Sequence, residues 1–436
     1  METDCTRDDI PVNGTTARDD RAPGDRTRDA GAPDDRARDG GAPDGHAPAP
    51  LPAGTRLLHI GPHKTGTTAV QGALFAAKER LPQYGVVFPA HTRHPMEAAL
   101  AACARPGMMG DTAPTERHWT RLVGQVRDAG RRTSVVSSEF FADAADEDTI
   151  GRMVEQLGGD RVHVLVTLRP LVRIMPSQWQ QYVQNGLRMD YESRLEHMLR
   201  KPPYEKPNPS FWRRHRHDRL VERWARVVGP ERVTVVVVDD RDRDGLMRTF
   251  EALLGLPAKL LQPTLDTANR SLTLAETEML RNLNVEFRGN DLPDELYSRL
   301  VRNGAVMHMK NACSPGRNDV KIVTPRWSVE AAARIGAEMA ERIGASGVRV
   351  LGDPALLSAE PEAAVGAAQE ARTDAAQEVR IAPEVAARAL YGALAAAADA
   401  PVRHTAQAKA RTVHQTSSKE LVRVIGHRCL RRLRRR

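Results

Sequence analysis

The sequence predicts an α/β fold in which a central, mostly parallel sheet is covered by helices on both faces, followed by a helical C-terminal part. Apolar runs that suit buried strands, such as residues 162–168 and 232–240, alternate with segments of helical spacing. Strands joined through helices in this way pair in parallel. By contrast, the N-terminal end of the chain has almost no large apolar residue, and the C-terminal end is rich in Ala, Glu and Arg.

The first strand and helix fall within residues 56–71, RLLHIGPHKTGTTAVQ. The strand is apolar through Ile60, Gly61 and Gly66 bracket a tight turn, and Thr67 and Thr68 begin a helix that runs to about residue 80. A turn whose glycines let backbone amides approach an anion, placed at a helix N-terminus, is typical of a phosphate site.

The lysine of this turn stands in an unusual place. The spacing from Gly61 to Gly66 matches the nucleoside triphosphate loop G-x-x-x-x-G-K-[ST], but Thr67 follows Gly66, and the lysine is Lys64 inside the turn. A lysine there would lie beside the bridging oxygen of a 5′-phosphate ester instead of reaching the β- and γ-phosphates.

The next elements continue the alternation. We predict a strand at 85–89, a short helix at 96–104, a helix at 115–130 with Thr115 as N-cap, a strand at 133–138 and a helix at 146–157. His91 and His94 precede the short helix, and Glu139 follows the third strand.

A second anion-binding pattern lies within residues 162–186. Arg169 follows the strand at 162–168, Pro170 suits the first turn of a helix, and Ser177 lies eight residues after Arg169 on that helix. A guanidinium suits a phosphate because it donates two parallel hydrogen bonds.

Two segments together resemble the sulfotransferases that use 3′-phosphoadenosine 5′-phosphosulfate (PAPS). They are HKTGTT at 63–68 and LRPLVRIMPSQW at 168–179. The resemblance spans about residues 55–357 and implies a P-loop-like three-layer α/β/α fold. It implies that the turn binds the 5′-phosphosulfate and that Arg169 and Ser177 bind the 3′-phosphate. The turn residues so implied are His63, Lys64, Thr65, Gly66, Thr67 and Thr68.

A later segment, NRSL at 269–272, resembles the place where a loop of this family closes over the nucleotide phosphate. Arg270 and Ser271 are therefore third candidate contacts, although Ser271 could equally cap the helix that follows. That helical region is expected to run from 273 to about 345, with residues 328–343 amphipathic.

The stretch 182–208 is polar and aromatic, and we interpret it as an acceptor-binding lid with Tyr182, Asn185, Tyr191 and Tyr204. A helix at 210–228 follows, then the strand at 232–240 and a helix at 245–254. His215 and His217 lie in a run of arginines, which favours a solvated basic face over a metal site.

Sulfuryl transfer is an in-line displacement in which charge gathers on the departing oxygen, so Lys64 is the candidate catalytic cation. A base must also accept the acceptor's proton. Glu139 and His94 compete for this role, with Glu139 preferred because a strand end fixes its direction. Either could instead be structural, Glu139 pairing with a buried arginine and His94 capping its helix. This chemistry requires no metal.

The two ends are expected to be tails. The composition of residues 1–54 predicts a disordered tail. Residues 358–436 are expected to form an Ala-rich and basic tail with helices at 383–398 and 419–433. Residues 402–436 contain eleven basic residues and one acid, so the net charge of this segment is larger than the +8 of the whole chain. Such a basic segment suits an acidic partner or an anionic membrane surface, and nucleic acid is disfavoured. Scattered cysteines and the lack of a signal-type segment predict a cytoplasmic protein.

Two other functions remain open. A P-loop kinase for a small molecule lacks the lysine after Gly66, and only Asp239 and Asp240 could bind its metal. A degenerate, non-catalytic binding protein would leave Lys64, Arg169 and Ser177 unexplained. Within the sulfotransferase reading, the acceptor is a small molecule or glycan: a carbohydrate, lipid or secondary metabolite.

Overall fold

The fold is described from a computed structural model, which covers residues 48–108, 110–200, 209–263, 270–316, 319–320, 322–359 and 380–398. The predictions for residues 1–47, for the basic segment 399–436, for Tyr204 and for Asn269 fall outside these residues. Residues 48–54, which the sequence assigned to the N-terminal tail, belong to the folded part. The amide of Leu51 donates to the carbonyl of Leu253 at 2.8 Å.

The centre of the fold is a sheet of six parallel strands in the order β2-β3-β1-β4-β5-β6. The predicted α/β class with a parallel sheet is confirmed. The strands are β1 Arg56–His59, β2 Val86–Val87, β3 Thr133–Ser137, β4 Val162–Leu168, β5 Val233–Val237 and β6 Arg349–Leu351.

Burial explains the composition of these strands. Every residue of β1, β3 and β5 is buried, as expected for strands with helices on both faces. The edge strands are shorter: β2 has two residues where the sequence predicted five, and β6 is only half-buried.

Helices cover the sheet and then build a second layer of structure. They are α1 Thr67–Ala77, α2 Met96–Ala102, α3 Glu116–Asp128, α4 Glu147–Leu157, α5 Leu171–Gln184, α6 Tyr191–Leu195, α7 Pro209–His215, α8 His217–Val228, α9 Gly245–Leu254, α10 Leu274–Gly289, α11 Asp294–Leu296, α12 Met307–Ala312, α13 Arg326–Gly344 and α14 Pro383–Ala398. A π-helical segment, Tyr297–Val306, joins α11 to α12. No helix in the described ranges has the length and apolar character needed to span a bilayer.

Two hydrophobic cores result. One lies around the sheet, and the other lies among α5, α6, α7, α10, α12 and α13. Trp179 of α5 is fully buried in the second core. The helical C-terminal part therefore packs directly on the helix that follows β4.

Helix α14 belongs to the segment that the sequence assigned to a C-terminal tail, and it packs against the π-helical segment and α12. The crossing is close at Gly392, where an added Cβ would lie 2.5 Å from the Cβ of His308 and 2.6 Å from the carbonyl oxygen of Gly304. A side chain at position 392 would push the helices apart.

The predicted single helix at 210–228 is wrong, because it breaks at Arg216 into α7 and α8. Arg216 leaves helical geometry with ψ of 80°. Its buried guanidinium pairs with Asp218 at 2.8 Å and with Glu338 of α13 at 2.5 Å. Satisfying a buried charge thus takes precedence over continuing the helix.

The strand order indicates where a ligand would bind. The chain passes from β1 to the edge at β2, returns through β3 beside β1, and then crosses to β4 on the other side of β1. Ligands of open parallel sheets bind outside the carboxyl ends of the strands at such a switch point. The residues that follow β1, β3 and β4 therefore meet at one crevice.

Candidate functional site

The turn between β1 and α1 requires its glycines. Gly61 has φ of 77°, and a Cβ there would lie 2.9 Å from the Cα of Glu139. Gly66 has φ of 101°, and its Cβ would lie 2.6 Å from the side chain of Leu246. Lys64 also adopts a left-handed conformation, with φ of 68°. Such strain at a non-glycine residue is typical of functional turns.

A chain of buried hydrogen bonds holds the turn to the strands beneath it. The Thr65 hydroxyl donates to the carbonyl of Pro62 at 2.7 Å, so it must accept from Thr167 at 2.8 Å. Thr167 in turn accepts from His59 Nε2 at 3.1 Å, and the Ser137 hydroxyl donates to His59 Nδ1 at 2.8 Å. Burial lowers the pKa of His59 to about 3, so the ring is neutral, as this chain requires.

Helix α1 begins directly after the turn. No side chain of the described residues caps its N-terminus, and amides of a first helical turn have no partner within the helix. The buried hydroxyl of Thr67 also lacks a hydrogen-bond partner among those residues. The amides and the Thr67 hydroxyl together could bind an anion.

Lys64 is half-buried within the turn. The pKa of its ammonium group is lowered from 10.5 to about 8, chiefly by burial and also by the positive charge of Lys310, while the negative charge of Glu139 acts in the opposite direction. The ammonium group therefore lies where an added anion would be strongly stabilised.

Glu139 follows β3 and opens a helical turn, Glu139–Asp143. Burial raises the pKa of its carboxyl group, whereas Lys64, Arg214 and Gln71 act in the opposite direction. The Nδ1 atom of His63 lies 3.9 Å from Glu139 Oε1. The pKa of His63 is well below its ordinary value because of burial and the nearby charges of Arg214 and Lys64, so His63 is neutral.

Arg169 contacts the turn directly. Its Nη1 donates to the carbonyl oxygen of Lys64 at 3.4 Å, and its Nη2 lies 3.0 Å from Asp240 Oδ1 at the end of β5. Asp240 also lies 3.7 Å from Arg173. The Nε of Arg169 is buried without a partner in the described part of the chain. The two anion-binding patterns of the sequence thus meet at one edge of the sheet.

Ser177 is half-buried two turns into α5. Its hydroxyl donates to the carbonyl of Ile174 at 3.0 Å, a bond within its own helix. Contact with a phosphate would require this hydroxyl to rotate away from that carbonyl.

Arg270 has a structural role in this conformation. Its two terminal nitrogens bind Glu276 at 2.7 and 2.8 Å, and its remaining N–H groups donate to the carbonyls of Ser271, Met309 and Lys310. All five donors of the guanidinium group are used. Arg270 could contact a phosphate only by giving up one of these partners.

Ser271 is exposed and does not cap the following helix. The cap of α10 is Thr273, which forms a reciprocal capping box with Glu276. The alternative that Ser271 is the cap is therefore wrong.

The two candidate bases are connected through Gln71, a buried residue of α1. His94 Nδ1 lies 2.5 Å from Gln71 Oε1, and Gln71 Nε2 lies 3.5 Å from Glu139 Oε2. Sequence reasoning missed Gln71, because a glutamine within an apolar helical segment gives no signal of its partners.

The interpretation of His215 and His217 as solvated is wrong. Both rings are fully buried, and their centroids lie 6.0 Å apart. Burial lowers the pKa of His217 to about 4 and that of His215 well below its ordinary value. The arginines that flank them are paired: Arg214 binds both oxygens of Asp143.

The assignment of Tyr191 to an acceptor-binding lid is wrong. Tyr191 is buried against Trp179 in the second core, and its hydroxyl bonds to Thr324 at 2.9 Å. Tyr182 lies under the guanidinium group of Arg194, 4.4 Å from its ring centre. These residues are structural components of the helical layer.

Among the described residues, no group of three or more His, Cys, Asp or Glu side chains is arranged to hold a metal ion. Comparison with known proteins adds no assignment. No family model, no curated protein and no solved structure matches this chain.

Proposed function

We propose that this chain is a sulfotransferase that moves the sulfuryl group of PAPS to a hydroxyl or amine of a carbohydrate, lipid or secondary metabolite. The observation that supports this function most strongly is the 3.4 Å contact between Arg169 Nη1 and the carbonyl oxygen of Lys64. PAPS carries anionic groups at its 5′ and 3′ positions, so it needs two anion-binding elements close together.

In this proposal the turn from Thr65 to Thr68 binds the 5′-phosphosulfate through its amides and the unpartnered Thr67 hydroxyl. Arg169 binds the 3′-phosphate with its Nε, and Ser177 rotates to join it. Arg270 and Ser271 are left out of this site, because Arg270 already uses all its donors within the protein.

The proposed reaction is a displacement at sulfur in which negative charge develops on the leaving oxygen. The acceptor oxygen or nitrogen attacks sulfur as the bond from sulfur to the bridging oxygen of 3′,5′-ADP breaks. The Lys64 ammonium stabilises the charge that develops on that oxygen, and Glu139 or His94 accepts the acceptor's proton. Such catalysis depends on positioning and electrostatics, and buried hydrogen bonds hold the turn in place on the strands beneath it.

The kinase alternative is less well supported. It relies on Asp239 and Asp240 as metal ligands, but Asp239 binds Arg241 at 2.9 Å and Asp240 binds Arg169 at 3.0 Å. A metal would have to displace both arginines.

Calorimetric binding of 3′,5′-ADP, PAPS and Mg·ATP to the full chain tests the proposal. We expect 3′,5′-ADP and PAPS to bind and Arg169→Ala to weaken both, while Mg·ATP binds poorly. Preference for Mg·ATP would replace the proposal with the kinase. Binding of PAPS without transfer to any acceptor in a sulfate-release assay would leave only a binding protein.

A further inference from the structure

Gln71 contacts three groups around the candidate site. It lies on α1, one turn after Thr67, and is 1% exposed. Its Nε2 donates to the carbonyl of Ser137 at 2.8 Å and lies 3.5 Å from Glu139 Oε2, while its Oε1 lies 2.5 Å from His94 Nδ1.

These contacts fix where the protons are. A backbone carbonyl can only accept, so the amide nitrogen of Gln71 must face Ser137 and its oxygen must face His94. That oxygen can also only accept, so Nδ1 of His94 must carry a hydrogen. In the neutral ring, Nε2 then carries the lone pair and is the atom that can take up a proton.

The loop that carries His94 is docked along one stripe of α1. Arg93 donates to the carbonyl of Thr68 at 3.2 Å, and Lys78 donates to the carbonyl of Ala90 at 3.0 Å. Thr68, Gln71 and Lys78 are spaced three and seven residues apart, so they share a face of the helix. His94 is thus held at three points along its loop.

We propose that Gln71 is a positioning residue that selects the Nδ1–H tautomer of His94 and so makes His94 Nε2 the base of the reaction. The inference rests on the proposed sulfuryl transfer. The acceptor proton moves to Nε2, the acceptor oxygen bonds to sulfur, and the electron pair of the broken S–O bond stays on 3′,5′-ADP.

The exposure of the two side chains favours His94 over Glu139, the residue preferred from the sequence, because His94 is exposed and Glu139 is half-buried. The charges of Glu139 and Lys64 act on each other, and Lys64 is the group proposed at the leaving oxygen, so Glu139 is assigned to the leaving-group side. His94 is exposed, so a large acceptor can reach it. Gln71 lies between the two groups.

Side-chain ¹⁵N NMR of the full chain without ligand tests the tautomer at a pH where His94 is neutral. The His94 signals are assigned by their loss in His94→Gln. We expect Nδ1–H in the wild type, Nε2–H in Gln71→Met, and Nδ1–H again in Gln71→Glu, which restores an acceptor. Nε2–H in the wild type overturns the inference, even if Gln71→Met does not fold.

Kinetics supply the second readout. Gln71→Met should lower kcat at least about tenfold, as expected when a catalytic imidazole has the wrong tautomer, with KM for PAPS changed less than about twofold. Glu79→Gln, at an exposed position just beyond the end of α1, should keep both the tautomer and kcat. An unchanged kcat in a folded Gln71→Met overturns the inference.

The two proposals fail differently. If His94 has the Nδ1–H tautomer but no sulfuryl transfer occurs with any acceptor, the proposed function fails and takes the role of base with it, although Gln71 still selects the tautomer. If transfer occurs while His94 has the Nε2–H tautomer, the inference alone fails.

Discussion

Lys64 carries a positive charge in a site that makes that charge unfavourable without a ligand. Burial and Lys310 both lower its pKa, and the anion of a bound substrate would reverse this. We expect Lys64→Ala to lower kcat about 10²- to 10³-fold, the usual cost of losing one group that stabilises a developing oxyanion. Single-turnover transfer from PAPS measures this loss.

Lys259→Ala is the matched control, because Lys259 is an exposed lysine with a left-handed φ of 63°, close to that of Lys64. It should transfer at the wild-type rate. Thermal unfolding should show both variants folded. Transfer by Lys64→Ala at the wild-type rate would remove Lys64 from the mechanism.

The acidity of Lys64 also predicts a pH dependence. A pKa of about 8 means that the ammonium form predominates below pH 8 and is lost above it. We expect kcat/KM for PAPS, which reports the free enzyme, to fall as pH rises through about 8. The alkaline fall of kcat should occur at higher pH than that of kcat/KM, because bound PAPS raises the pKa of Lys64. A flat kcat/KM profile to pH 10 would contradict the prediction.

Local sequence could single out only the candidate residues whose signal is local. Lys64, Gly61, Gly66 and Arg169 stand out because a turn motif or a strand end marks them. His59 and Gln71 could not be found in this way, because their partners lie on β3, β4 and a distant loop. The sequence singled out Arg270 by its charge near a motif but not its partner, Glu276, which lies six residues later.

At the scale of elements, the β1–α1 turn depends on a close approach of two backbones. Gly61→Ala places a Cβ against the Cα of Glu139, whereas Gly85→Ala has a similar φ of 72° with open space around it. Both variants have unfavourable φ, so the difference between them isolates the close contact. We expect Gly61→Ala to be less stable than Gly85→Ala by about 1–3 kcal/mol in urea unfolding.

Binding separates the two variants further. Gly61→Ala should also lose affinity for 3′,5′-ADP, because moving Glu139 displaces the turn. Equal stability and equal affinity in the two variants would show that the turn tolerates the extra atom.

Element boundaries were predicted well where packing follows the local pattern. Strands β4 and β5 and helices α1, α9 and α14 lie close to their predicted positions. The break between α7 and α8 could not be predicted, because it depends on Glu338, which is more than a hundred residues away. Tyr191 was wrongly assigned to a lid, because a tyrosine in a polar stretch is compatible with both an exposed lid and a buried core position.

At the scale of the whole molecule, buried neutral histidines make stability depend on pH. The pKa values of His59, His163 and His217 are lowered from 6.5 to about 3, 4 and 4. The unfolded chain binds protons below about pH 6.5, whereas the folded chain does not until about pH 4. Folding stability should therefore fall as pH decreases from 6.5 to 4.

His217 alone should contribute about 3 kcal/mol to this loss, given its lowered pKa. Urea unfolding of the wild type and of His217→Leu, measured from pH 7.5 to 4, tests the contribution. The variant should lose less stability on acidification, and His91→Leu, the same change at an exposed position, is the control. Parallel profiles for His217→Leu and the wild type would contradict the prediction.

The parallel arrangement of the strands was predictable from the alternation of strands and helices, but the edge strand β6 was not predicted. The second core was not, because its helices are amphipathic with many charged residues, and their partners come from distant parts of the chain. The basic run at Arg213–Arg216 looked solvated, yet Arg214 and Arg216 are neutralised by Asp143, Asp218 and Glu338.

The hydrogen bonds of Arg270 connect the C-terminal helices to the pKa of Lys64. By binding the carbonyls of Met309 and Lys310, Arg270 fixes the end of α12, and the charge of Lys310 is felt by Lys64. The acidity of the turn is thus set partly from a region more than two hundred residues away in sequence. A substitution that loosens α12, such as Arg270→Met, should shift the alkaline limb of the pH profile towards higher pH while leaving the turn itself untouched.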